Sequence, residues 1–140
     1  MSRGQVYEGG CLCGAVRYEA GREPLQVAHC HCESCRRSTG AVFATGVSFP
    51  VEVVTWTQEE PSTYQSSENF ARLFCSRCGS SVAQHNQGTG RMWMLVGTLD
   101  HPESIVPESH FFTKDQISWV KLDDGLPRHS TFPPIREAKQ

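Results

Sequence analysis

The sequence predicts a mainly β domain, small and stapled by metal. Three observations point there. Short runs of alternating apolar and polar residues follow one another along the 140 residues, separated by Gly, Pro, Ser and Asn turns. Helical periodicity is almost absent. Seven cysteines fall in three tight clusters, at 11 and 13, at 30, 32 and 35, and at 75 and 78. The apolar fraction of 38% is modest for a core that must hold by itself. Structural zinc binding offsets such a deficit, contributing on the order of 10 kcal/mol to folding in small domains.

The elements follow in order. After a short polar start, Ala15 to Ala20 alternates and predicts a strand leaving the first cysteine pair. Leu25 to Cys30 predicts a second strand, which delivers the central cluster. Ser34 to Ser38 predicts one helical turn, ended by Gly40. Strands are expected over Ala41 to Val47 and Val51 to Trp56, split by Ser48-Phe49-Pro50. Thr63 to Ser66 is a short strand. Phe70 to Phe74 and Ser81 to His85 flank Cys75-Ser76-Arg77-Cys78-Gly79, which makes a zinc-ribbon hairpin. Met92 to Leu99 is the most apolar strand and is expected to cross the core. Ser109 to Thr113 is the last strand, and Asp123 to Pro127 a turn. Trp119 and Phe112 read as core or lid packing. A single domain is expected over 1–128, with an extended or flexible tail over 129–140.

The cysteines carry the chemistry. Thiolates this close repel one another unless a cation sits between them, and soft sulfur ligands select zinc. Cys11 and Cys13 with Cys75 and Cys78 make one four-cysteine site, closed and structural. Gly14 and Gly79 each follow a pair and allow the backbone to turn back over the sulfurs. That leaves Cys30, Cys32 and Cys35, three ligands and one open tetrahedral position, the arrangement of catalytic zinc. A second partition pairs Cys30 and Cys32 with Cys75 and Cys78. His29 or His31 would close the three-cysteine site as a fourth ligand; the plainer reading of each is a half-buried polar residue.

Charge and leader signals limit the function classes. The net charge of −2 argues against a nucleic-acid platform, which carries a basic surplus on one face. An odd cysteine count with C-x-C spacing is poor disulfide logic, and Met1 to Gln5 opens no apolar leader. No apolar run approaches membrane-spanning length. The expectation is a cytoplasmic protein with reduced thiols, without nucleic-acid or membrane partners.

Gly10-Cys11-Leu12-Cys13-Gly14, Cys30-His31-Cys32 with Cys35, and Phe74-Cys75 with Cys78-Gly79 occur in that order, followed by His110, Trp119 and Asp124-Gly125-Leu126-Pro127. This set, from about Gly9 to Pro127, resembles the glutathione-dependent formaldehyde-activating enzyme family, which also includes centromere protein V. The resemblance implies a zinc-stapled β fold of two or more small sheets. It implies a structural zinc on Cys11, Cys13, Cys75 and Cys78 and a catalytic one on Cys30, Cys32 and Cys35, two Zn2+ per chain. It further implies glutathione as partner, its sulfur the fourth ligand of the second zinc, and a carbon–sulfur lyase reaction giving S-hydroxymethylglutathione from glutathione and formaldehyde.

The carboxylates of a tripeptide thiol need cations. Arg36 and Arg37 lie just past Cys35, with Arg72 and Lys114 as further candidates; solvated surface charge is the plain alternative. His110 is expected to be a proton donor or a packed strand residue. Two rival functions are a non-catalytic zinc interaction module and the same open zinc acting on another small thiol. The assembly expected is a monomer or a homodimer.

Overall fold

The computed structural model describes residues 5–133. Two sheets make up the mainly β architecture. A three-stranded antiparallel sheet has the order β1 (Tyr7–Gly10), β2 (Arg17–Ala20), β5 (Val54–Trp56). A seven-stranded sheet has the order β10 (Ser109–Phe111), β3 (Gln26–Cys30), β4 (Ala44–Pro50), β9 (Arg91–Leu95), β8 (Ser81–Asn86), β7 (Phe70–Phe74), β6 (Ser62–Ser67). All neighbours are antiparallel except β10 with β3, which run parallel. One short helix, α1 (Glu33–Thr39), follows β3. Among the described residues no helix is long and apolar enough to cross a membrane.

The two sheets share one apolar core. Tyr7 and Tyr18 come from the small sheet; Val47, Phe49, Leu73 and Met94 come from one face of the large sheet. The rings of Tyr7 and Phe49 lie 5.6 Å apart. Strand alternation sends the other residues to the opposite face. There Cys30, Gly46, Arg72, Gln84 and Trp93 line a cavity. β3 divides its residues in the same way. Val27 faces the core, Ala28 and Cys30 face the cavity, and His29 lies beside Thr45 and His110, its partners in register.

Several local features depart from the sequence reading, each for a tertiary reason. β1 falls in the expected polar start; its Tyr7 buries against Phe49 while Glu8 stays exposed. β4 continues through Ser48-Phe49-Pro50, where a break was expected. Phe49 is fully buried, and Pro50 sits at the last pair, opposite Arg91, where the missing N–H costs little. Val51–Val53 is then a 3₁₀ turn, not a strand. β9 ends at Leu95, and Val96–Thr98 is another 3₁₀ turn. Trp119, expected in core or lid, is 70% exposed.

Residues 129–133, the start of the expected tail, lie along the domain. The His129 amide donates to His110, and Phe112 donates to the Thr131 carbonyl. Phe132 packs on Phe112 at 4.8 Å. Positions 1–4 of the expected domain and 134–140 of the expected tail lie outside the described residues.

Gly9 pairs with Tyr18 where the two sheets close on the Val96–Thr98 turn. A β-carbon there would overlap the Thr98 carbonyl oxygen and the Tyr18 hydroxyl. Backbone cannot yield as a flexible side chain does, so Gly9→Ala is expected to cost on the order of 2 kcal/mol. A urea titration checks this, and an unchanged midpoint would contradict the tight closure.

Candidate metal centre

The first cysteine group is built by two turns from different sheets. Cys11 and Cys13 follow β1, and Cys75 and Cys78 form the turn between β7 and β8. Gly14 and Gly79 have φ of 86° and 77°, so the left-handed turn that brings each chain round needs glycine. Their four sulfurs lie within 4.8 Å of one another. Cys11 to Cys13 is 3.7 Å and Cys13 to Cys75 is 3.8 Å. A tetrahedron of sulfurs at about 2.3 Å from zinc has edges of about 3.8 Å, so this donor set fits zinc. The amides of Val16 and Arg77 donate to the Cys11 and Cys75 sulfurs at 3.2 and 3.4 Å. The Ser80 hydroxyl lies 3.1 Å from Cys78 and pulls that thiol down to about 5.

The second group uses the β3–α1 junction. Cys30 ends β3, Cys32 is the N-cap of α1, and Cys35 lies in its first turn. The Cys32 sulfur accepts from the Cys35 amide at 3.3 Å, in the way a serine hydroxyl caps a helix. Gly40, in the left-handed conformation, ends the helix as expected. The three sulfurs also lie within 4.8 Å and can hold a metal ion. They share protons unequally. Contacts from Cys30 and Cys35 hold Cys32 far below the usual thiol range, while the contact with Cys32 drives Cys30 up. Three thiolates this close cannot form together without a cation.

Polar support comes from the neighbouring strands. Arg72 Nη1 on β7 donates to Gln84 Oε1 on β8 at 2.6 Å and to the Cys35 sulfur at 3.5 Å. Beyond the sulfurs lies a cavity of about 260 Å³. Its walls include Phe70, Trp93, Phe111, Phe112 and Phe132.

The histidines flanking Cys30 are not among those walls. His31 and His110 are fully buried, and His31 Nε2 lies 2.9 Å from His110 Nδ1. His110 Nε2 lies 2.8 Å from an Asp124 oxygen. His29 Nδ1 meets the Thr45 hydroxyl at 2.7 Å, and its ring stacks on His110 at 4.8 Å. Burial lowers His31 to about 4 and also lowers His29, so both are neutral near pH 7. His29, His110 and Asp124 form a third group able to hold an ion by spacing.

The residues expected to bind substrate are scattered. Arg37 pairs with Glu33 at 3.0 Å and lines a groove adjoining the cavity. Arg36 turns away from the cavity walls, its Nε buried without a partner among the described residues. His110 reaches Asp124 on the far side of β3 from Cys30, as their shared register requires. Lys114 pairs with Asp115 and lies 5.8 Å from the Phe112 ring centre. Of the four cations considered, only Arg72 touches a site sulfur. Gln84 and the aromatic walls were missed. The alternation that puts Phe70 and Arg72 on one face of β7 and Gln84 and Asn86 on one face of β8 was the available signal.

Comparison with other proteins shows the family and the fold. A relative from Halomonas elongata, named provisionally as a glutathione-dependent formaldehyde-activating enzyme, is 34% identical over 128 residues, covering 84% of this chain and 82% of its own. An uncharacterized lyase from Schizosaccharomyces pombe is 34% identical over 76 residues, 54% of this chain. That match spans about half of the yeast protein, 55% of its length. The crystal structure of a Rhodobacter sphaeroides protein has the same fold, with a TM-score of 0.55 over 87% of this chain and 98% of that one, at 21% identity. The sequence profile described as glutathione-dependent formaldehyde-activating enzyme matches residues 6–115, so the chain belongs to the glutathione-dependent formaldehyde-activating enzyme family.

Proposed function

We propose that this chain is a zinc-dependent carbon–sulfur lyase-type enzyme that joins a small thiol, glutathione, to formaldehyde, giving S-hydroxymethylglutathione. One observation carries the reading: three cysteine sulfurs, one fewer than a closed zinc site uses, sit at the edge of a cavity. Cys30, Cys32 and Cys35 would hold a zinc ion, which would supply an open coordination position and favour the ionised form of a thiol there. A free thiol is only about 3% ionised at pH 7, so the gain in nucleophile is tenfold or more. Cys11, Cys13, Cys75 and Cys78 hold the structural ion.

The chain's own residues do the rest. The Arg72 guanidinium, fixed by Gln84, offsets negative charge on the sulfurs. The aromatic walls keep water from the carbonyl carbon. The sulfur lone pair forms the C–S bond, the carbonyl electrons move to oxygen, and that oxygen takes the proton the thiol gave up. Arg37 in the adjoining groove meets a glutathione carboxylate. His110 has no contact with reactants and holds His31 and Asp124 in place.

The rival reading, a closed interaction module, needs a histidine as fourth ligand. His31 is committed to His110 and His29 to Thr45, away from the cavity. This favours an open site.

The partition between the ions is tested by two variants. Cys78→Ser is expected to abolish soluble folded protein; a well-folded variant would contradict the structural role. Cys32→Ser keeps a good helix cap, so circular dichroism is expected to stay native while metal analysis shows one zinc fewer. Global unfolding would mean that this cluster is also a staple.

The activity is tested by exchange NMR on glutathione and formaldehyde with zinc-loaded protein. Faster exchange than in buffer is expected. Arg72→Met is expected to lower that acceleration about tenfold, the loss of one charge-assisted hydrogen bond. Exchange no faster than in buffer would refute the proposal.

A further inference from the structure

The cavity beside Cys30, Cys32 and Cys35 is far larger than formaldehyde requires. It measures about 260 Å³. A water takes about 30 Å³ in the liquid, and formaldehyde has only one heavy atom more. An apolar cavity of about 150 Å³ takes up benzene. The space here suits a ring and a short arm.

Five aromatic side chains make one part of its wall, and Ser34, Ser66, Ser67, Gln84 and Asn86 line another. Phe111 lies beside Cys30 in the β10–β3 register, so the aromatic surface begins at the sulfur. Trp93 meets Phe111 edge to face at 5.8 Å and 80°. Phe132 closes the outer side, 6.1 Å from Phe111 and 4.8 Å from Phe112, both nearly perpendicular. Phe70 lies parallel to Phe132 at 6.4 Å. Such offset and edge-to-face sets form a box that accepts a further ring.

Phe112 adds an independent sign. Consecutive strand residues point to opposite faces, yet Phe111 and Phe112 both line the cavity. Phe112 achieves this at φ 55°, the one positive φ outside glycine among the described residues. A bulky residue rarely takes that conformation.

Charge points the same way. Among the described wall residues only Arg72 is charged, and it is held by Gln84 and Cys35. Its one cation is thus engaged, and a second, Arg37, lines the adjoining groove, where the carboxylates of glutathione are placed. The aromatic space is left to the carbonyl partner.

We propose that this site also takes, and favours over formaldehyde, aldehydes carrying an apolar group of about ring size, seated in the aromatic box with the carbonyl carbon at the sulfur. The proposal rests on the thiol–aldehyde reading above and extends it beyond the one-carbon substrate. The chemistry is unchanged: one C–S bond forms, the carbonyl π pair goes to oxygen, and the thiol proton ends on that oxygen. No oxidant, reductant or leaving group is involved.

The test uses zinc-loaded full-length protein, glutathione, and either phenylacetaldehyde or formaldehyde. Acceleration over the uncatalysed adduct exchange is read by NMR. Phenylacetaldehyde is expected to be accelerated at least tenfold more than formaldehyde. Phe132→Ala trims a ring that is 52% exposed, and is expected to reduce that ratio at least fivefold. Phe70→Leu provides the same readout should the first variant fail to fold. Equal acceleration, or a preference for formaldehyde, overturns the proposal and leaves the thiol–aldehyde reading standing. A greater acceleration, each over its own uncatalysed exchange, for benzyl thiol with formaldehyde than for glutathione with phenylacetaldehyde assigns the box to the thiol and also overturns it. No acceleration with any pair overturns both readings.

Discussion

Crowding of sulfur is the constraint on which the structure depends. Two cysteine pairs, one near the start and one near the middle of the sequence, meet within 4.8 Å, carried by a turn after β1 and a turn between β7 and β8. Thiolates at that separation repel strongly at low dielectric and need a cation between them. A shared ion would tie residue 13 to residue 75 at 3.8 Å and remove the loop-closure entropy of the long segment between them. Within that closure lie six of the ten described strands, β2 to β7, including all of β3 and β4. The modest apolar core then has less to accomplish alone.

Strand alternation distributes the remaining chemistry. Three chemically competent residues, His29, Cys30 and His31, are consecutive, and the pleat sends Cys30 one way and His29 the other. Cys30 joins Cys32 and Cys35 at the aromatic cavity. His31 joins His110 and Asp124 in a separate hydrogen-bonded chain, and His29 stacks on His110. Among the described residues, that separation leaves the three-sulfur site without a fourth His, Cys, Asp or Glu ligand, and an imidazole chain packed behind the same strand joins β3 to β10.

The cysteine groups were legible because their partners are coded locally, as C-x-C or C-x-x-C followed by glycine. β7 was legible to the residue, and α1 carried its own stop at Gly40. What escaped depends on distant partners. β1 has little apolar pattern of its own; Gly9 and Gly10 fit there because Tyr18 and Arg17 press on them. Phe49 overrides the punctuation of Ser48 and Pro50 by filling the core beside Tyr7. The aromatic box draws on β7, β9, β10 and residue 132, and no single window contains it. Arg36 and Arg37 stood out through nearness in sequence to Cys35; the helix turns Arg36 away from the cavity and leaves Arg37 in the adjoining groove, while Arg72, 37 residues on, reaches the sulfur.

X-ray absorption at the zinc edge, on protein loaded with zinc and titrated with glutathione, tests the central claim most directly. The account predicts two zinc ions per chain and the entry of one further sulfur into the shell of one of them. A shell unchanged at saturating glutathione, or a single zinc per chain, would contradict an open thiol-accepting site at Cys30, Cys32 and Cys35.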